Sequence, residues 1–407
     1  MPGDPSFYEF TDVPTSDSCW SLSAGPDGCI YAAACSEHLG GVSVYVARYD
    51  DEHDRLDYIL ELATAVNDPP DSGRATQCKI HYCFCPSRHD GILYAATHLS
   101  GPALGDFLYS PWADWSDPRK AFRGSALIAY DTKTDEVRWW DTIAPREGSR
   151  CMALDEERGR IYIVTYPRDH FVIYDIPTRT RRDLGRIGSV NSQIVFTDRR
   201  GRAYTSSDMG QLVRYDPDRD RLEEIPTYIP CEPYQSRWHS VFYDAVASPE
   251  GDCIYAVTWR AHEHLFRYWP EDGPYGRMED LGPATPERDR SLPIDTFTDH
   301  TGGLVFGADG MLYYVASRWE GGPDVRPTPQ DCTGVIYRMD PRTLARDDMA
   351  PLAREKFPAQ YVSRGGRDRF GNLFFGHVGG RPSGIFRMPM DVPGGRSDLH
   401  EPLRTWG

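Results

Sequence analysis

Seven times along the 407-residue chain a glycine is followed, two to four residues later, by an aromatic residue that ends a short hydrophobic run. The copies are Gly28-Cys-Ile-Tyr31, Gly91-Ile-Leu-Tyr94, Gly159-Arg-Ile-Tyr162, Gly201-Arg-Ala-Tyr204, Gly251-Asp-Cys-Ile-Tyr255, Gly310-Met-Leu-Tyr313 and Gly371-Asn-Leu-Phe374. Each glycine follows a turn residue (Asp27, Asp90, Arg158, Arg200, Glu250, Asp309, and Phe370 after Arg369), as a hairpin requires where the backbone visits positive φ. A second element of the form hydrophobic-x-Tyr-Asp comes later in each copy. It runs over Val46 to Asp50, Ile128 to Asp131, Val172 to Asp175 and Val213 to Asp216, with degenerate forms at Phe266 to Tyr268, Ile336 to Asp340 and Ile385 to Met388. A repeat of roughly 40 to 65 residues built this way is a blade of four antiparallel strands. Seven copies predict an all-β fold, a seven-bladed β-propeller forming one domain over residues 1–407. The expected blades are roughly 16–62, 76–145, 148–188, 190–228, 237–282, 298–348 and 359–390. The run Phe7-Tyr8-Glu9-Phe10 is the candidate strand that closes the ring beside Ile385 to Met388, removing a free sheet edge.

A formal charge of −16 argues against nucleic acid as a partner, because phosphate binding needs a basic face. The ten cysteines are scattered through the repeat with no CxxC pair, so they read as small core residues and no metal site is expected from them. No apolar h-region opens the sequence and no run approaches membrane-spanning length. The expectation is a soluble monomer with no membrane partner, cytoplasmic, or periplasmic or secreted if a signal peptide has been removed.

In a propeller blade the residues just before the innermost strand and just after the second strand meet on one face near the axis. About ten residues before the hairpin glycines stand Ser18, His81, Arg150, Asn191, His239, His300 and Tyr361. After the second strands come His38, His98, Tyr166, Asp208, Trp259, Ser317 and His377. Core positions of a sheet would carry Val, Ile or Leu, and burying unpaired polar groups costs about 1 to 3 kcal/mol each. One face is therefore expected to be a wet, chemically equipped pocket. In blade two, His81 and His98 should lie side by side on neighbouring strands, with Tyr166 at the corresponding corner of blade three.

Histidine exchanges protons near neutral pH and tyrosine can donate one. The two rings offer no carboxylate pair for ordinary glycoside hydrolysis, and the chain has no G-x-S-x-G elbow. Proton abstraction suits the cluster better than acyl transfer. If the proton lies α to a carboxylate, a cation must offset the developing charge. Arg150, Arg182, Arg186, Arg237, Arg260 and Arg364 are the arginines near the expected pocket.

The segments Lys79-Ile80-His81, Leu93-Tyr94-Ala-Ala-Thr97-His98, Thr165-Tyr166-Pro167, His170-Phe171, Tyr174-Asp175 and Asp183-Leu184-Gly185-Arg186 resemble the seven-bladed propeller polysaccharide lyases. That group includes ulvan lyases and the L-rhamnose-α-1,4-D-glucuronate lyases, with a related family of rhamnosyl-glucuronate hydrolases. The resemblance spans the ring by architecture and is motif-specific between about residues 77 and 190. It implies β-elimination at a uronate of an acidic polysaccharide or oligosaccharide, with no cofactor required. A base removes the C5 proton, an acid assists the C4 leaving oxygen, and an arginine neutralises the carboxylate. Carried over, His81 is a base or carboxylate contact, His98 its partner and Tyr166 the acid or both acid and base. The family spacing points to Arg182 as the arginine, whereas the strand count favours Arg186. Substrate contacts are expected from Arg150, Asn191, Arg237, Trp238, His239, Trp259, His300, Tyr361 and Arg364. The resemblance also implies a structural cation in the central channel, although no oxygen-rich loop marks its ligands.

Two other readings stand beside the lyase. One is a hydrolase of the related family, acting through His38 in Ser36-Glu37-His38-Leu39-Gly40-Gly41. The other is a non-catalytic carbohydrate-binding propeller in which both rings are only ligand contacts. The segment Gly101 to Arg123, rich in Trp, Tyr and Pro, interrupts blade two and is expected to project over the same face.

Overall fold

A computed structural model describes residues 3–105, 114–188, 192–207, 209–230, 241–259, 263–286, 301–319, 332–352 and 361–391. The strands form seven four-stranded antiparallel sheets, six of them built in chain order from the axis outward, so the molecule is a seven-bladed β-propeller. The innermost strands are Leu22–Ala24, Lys79–Pro86, Gly148–Asp155, Phe196–Thr197, Phe242–Ala247, Thr301–Phe306 and Tyr361–Arg367. The seventh blade takes its outer strand from the other end of the chain: Ser6–Glu9 pairs with Gly384–Met388, Phe7 opposite Phe386 and Tyr8 opposite Ile385. No helix among the described residues is long and apolar enough to cross a membrane.

The repeat motif has a physical origin in the hairpins. Asp27 accepts the Cys29 amide at 3.1 Å and the Tyr31 hydroxyl at 2.9 Å, and Asp90 does the same for Ile92 and Tyr94 at 3.1 Å each. Asp309 binds Met311 and Tyr313 in the same way. The acidic residue before the glycine thus closes the turn, and the aromatic four residues on ties the turn to the next strand. The Tyr-Asp element works similarly one hairpin further out. Asp131 accepts the Lys133 amide at 2.8 Å while Tyr130 donates to Asp135 at 2.9 Å; Asp216 and Tyr215 repeat this with Asp218 and Asp220. Most of the largest fully buried side chains are tyrosines, and among them Tyr31, Tyr215 and Tyr313 spend their hydroxyls on these turn contacts.

Candidate active site

Five of the innermost strands lose register near the start: between Ile80 and Phe84, Ser149 and Cys151, Phe242 and Asp244, Gly302 and Val305, and Val362 and Gly365. A bulge leaves its extra residue unpaired and turns its side chain out of the ladder. Tyr82, at φ 37°, occupies the bulge of blade two, Arg150 that of blade three and Arg364 that of blade seven. The polar residues of the pocket are therefore placed by a repeated backbone defect, which the strand pattern does not reveal.

Lys79 pairs with His98, and Gly148 with Tyr166, so the starts of the innermost strands and the ends of the second strands share one face. There His81 and His98 lie with ring centroids 5.2 Å apart, and the Tyr166 ring is 4.8 Å from His98. Arg150 joins them. Its carbonyl oxygen lies 2.8 Å from His81 Nδ1, its Nη1 lies 3.2 Å from His98 Nε2, and its guanidinium stands 5.0 Å from the Tyr166 ring centroid. These contacts select the tautomers. A carbonyl can only accept, so His81 carries its proton on Nδ1; a guanidinium can only donate, so His98 accepts on Nε2. The Nε2 lone pair of His81 has no hydrogen-bond partner among the described residues. Gly148 makes the close approach possible, because a Cβ there would stand 2.3 Å from the Leu99 nitrogen and 2.8 Å from His98 Cα. Gly148→Ala is expected to push the His98 end of its strand outward. The His98 ring-proton NMR shifts should change while the far-UV spectrum does not; wild-type shifts would show that this approach is not needed.

Burial holds both His81 and His98 well below the ordinary histidine value of 6.5, reinforced by the positive charges of Arg150 and Lys79. Both imidazoles are neutral at pH 7. Because the unfolded chain binds these protons more readily than the folded one, stability is lost as pH falls through and below about 6.5. Urea unfolding should show a decline toward pH 5, at most about 1.4 kcal/mol per pH unit for each histidine. The slope should flatten in His81→Gln and in His98→Gln, and an equal slope in all three proteins would contradict the assignment.

Trp20, from blade one, stacks on His81 with centroids 4.8 Å apart and planes 19° from parallel. Lys79 lies 4.2 Å over the other partner of that stack, the Trp20 ring, and is ion-paired with Glu37. Glu37 Oε2 accepts the Trp20 indole N–H at 2.9 Å. Burial pushes the Glu37 carboxyl up, but Lys79 and Trp20 outweigh it and hold the group below its usual range. For Lys79 burial wins over the pull of Glu37, and its value falls.

The rings continue across the axis. Tyr82 lies 4.7 Å from His81 and 6.1 Å from Tyr243, which stacks at 6.3 Å with Trp259. Arg364 stands 5.4 Å over Tyr82 and donates to Asp244 at 2.5 Å, while Asp244 also accepts the Leu304 amide at 2.8 Å. One buried carboxylate thus joins blades five, six and seven around the channel. Burial raises Asp244 above the usual carboxylate range despite Arg364.

Of the residues singled out in the sequence, His81, His98, Tyr166 and Arg150 come together, with Arg364 and Trp259 further along the arc. Arg182 and Arg186 do not join them, and the expectation for both needs correction. They lie on Thr180–Arg186, the outermost strand of blade three, two strands outside Tyr166 and so about 10 Å away by strand spacing alone. Arg182 is paired with Asp220 and donates to the Tyr215 hydroxyl at 3.1 Å; Arg186 Nε donates to the Gly188 carbonyl at 2.6 Å. Arg150, expected to be a substrate contact, is the arginine that lies beside Tyr166. His377 belongs to the core of blade seven, its ring edge-on to Phe7 and Phe386. His38 is 78% exposed, with Nδ1 3.1 Å from Asp17. Asn191, Asp208, Arg237, Trp238, His239, Arg260 and His300 lie outside the described residues, as does the side chain of Tyr361. The sequence reading missed Trp20, Glu37, Tyr82 and Asp244. The one signal in the sequence is a tryptophan two residues after Ser18, a residue expected on that face. Among the described residues the one group of three side chains able to ligate a metal is Asp17, Glu37 and His38, beside blade one. The channel itself is lined by Tyr82, Phe84, Cys151, Ile194 and the Arg364 guanidinium.

No family model and no curated protein matches the chain. Among solved structures it is similar to the extracellular domain of BT4673 from B. thetaiotaomicron, at 13% identity and a TM-score of 0.58, over 96% of this chain and 40% of that one. The chain therefore spans well under half of that relative. It is also similar to the WD40 repeats of RRP9, at 10% identity and a TM-score of 0.54, over 95% of this chain and 98% of that one. At these identities the likeness is one of fold, a propeller ring.

Proposed function

We propose that the protein is a lyase that cleaves an acidic glycan by β-elimination at a uronate, at a rhamnose-glucuronate linkage in the reading carried by the sequence resemblance. The observation that carries the chemistry is Arg150 set between His98 and Tyr166 beside a neutral His81. His81 takes the C5 proton on Nε2, and the electrons of the C5–H bond form the C4=C5 double bond. The C4–O bond breaks and Tyr166 delivers its phenolic proton to the departing oxygen. Arg150 pairs with the uronate carboxylate, where negative charge builds as the proton leaves, and stabilising that charge is the greatest help such a site can give the reaction. Trp259, part-exposed at the outer end of the ring series that runs through Tyr243 and Tyr82 to His81, offers a ring face to the apolar side of a sugar.

A hydrolytic reading rests on His38, an exposed imidazole oriented by Asp17. Product chemistry separates the two. Incubation with gum arabic, ulvan and other uronate glycans should produce the ultraviolet absorbance of a C4=C5 double bond. Free rhamnose without that absorbance would move the reaction to His38, and no product from any uronate glycan would leave a binding propeller.

A further inference from the structure

The cluster beside blade one has no part in the proton transfers above, yet everything in it converges on one ring. The indole of Trp20 lies nearly parallel to the His81 imidazole. The indole is itself held on two sides, by its N–H on Glu37 and by the Lys79 ammonium over its face. Lys79 and Glu37 are paired with each other, and Lys79 is 2% exposed. A fully buried lysine is rare, because removing an ammonium from water is costly unless a partner and a π-face compensate. The pair bridges blade one to blade two, and among the described residues Ser100 is the one further side chain donating to Glu37, at 3.4 Å.

We propose that Trp20, Lys79 and Glu37 are positioning residues for the His81 imidazole, Trp20 fixing its plane and the Lys79–Glu37 pair fixing Trp20. The inference rests on the elimination reading for the task of His81, though not for the contact itself. His81 is thereby held from both ends, with Nδ1–H on the Arg150 carbonyl and the ring face on Trp20, which leaves Nε2 as the ring nitrogen without a hydrogen bond among the described residues. The charged and titratable groups facing the imidazole are Lys79 and Tyr82 from its own strand, His98 from the second strand of blade two, Arg150 from blade three, and Glu37 behind Trp20 from blade one. Their net effect is positive, so the support also keeps a proton off Nε2. The Lys79 charge acts in that direction on both histidines.

The test is proton NMR of the histidine ring, with the His81 resonance assigned by its loss in His81→Gln. In the wild-type protein the His81 ring protons should be displaced upfield by the indole ring current. They should stay displaced in Trp20→Phe and move back downfield in Trp20→Leu, by the part of the displacement that the indole supplies. In Lys79→Met the midpoint of the His81 titration should move to higher pH, because a like charge has gone. In turnover, Trp20→Leu should lower kcat about tenfold or more with KM within about twofold, the signature of misplacement rather than lost binding, and Trp20→Phe should recover most of it. An undisplaced His81 signal in the wild type, or wild-type shifts and kcat in Trp20→Leu, would overturn the proposal. The two Trp20 variants leave the buried ion pair intact, so they decide the matter even if Lys79→Met does not fold. If the protein eliminates no uronate, the NMR arm still answers whether the support exists and only the reaction assigned to His81 fails.

Discussion

Tyr166→Phe is expected to lower kcat by about 10²- to 10⁴-fold with little change in KM, the range a positioned proton donor contributes. The phenol is lost while the ring remains, so the packing 4.8 Å from His98 and under Arg150 is kept. The variant should therefore fold and bind as the wild type does. Following double-bond absorbance with a uronate glycan measures the loss directly. Near-normal turnover would remove Tyr166 from the mechanism and leave its ring as a wall of the pocket.

Arg150→Met should be as damaging for a different reason. It removes the cation proposed to meet the carboxylate and the donor to His98 Nε2, while the backbone carbonyl that fixes His81 stays in place. The expected cost in kcat/KM is about 10²- to 10³-fold, as for loss of one electrostatic stabiliser. The pH profile should change as well. Arg150 is one of the charges holding both histidines low, so its removal lets them protonate at higher pH. A base is inactive when protonated, so the acid limb of the rate profile moves to higher pH. Arg182→Met supplies the control, because its guanidinium is spent on Asp220 and Tyr215 at the outer edge of blade three. An unchanged acid limb in Arg150→Met would place the charge elsewhere.

The contrast between Arg150 and Arg182 shows where sequence reasoning stopped. Spacing along the chain from Tyr166 leads to Arg182, but a blade is radial, and residues close in sequence beyond the second strand move outward at about 5 Å per strand. Arg150 precedes Tyr166 by a whole hairpin and returns to it through strand pairing and a bulge. The pairing could be anticipated; the bulge could not, because Ser149, Arg150 and Cys151 carry no mark that one of them is unpaired.

The same division runs through the whole molecule. Sequence alone determined the seven blades, their hairpins and the placing of His81, His98 and Tyr166 on one face. Those features follow from local chemistry that recurs along the chain: a turn residue, a glycine and an aromatic, whose hydroxyl closes back on an acidic turn residue at Tyr31, Tyr94 and Tyr313. Only the tertiary structure decided what surrounds His81. Trp20, Glu37, Lys79 and Arg150 come from three different blades, and their meeting depends on ring closure and on register shifts in the innermost strands. Contacts between blades are set by packing around the axis, and no periodicity within a blade encodes them.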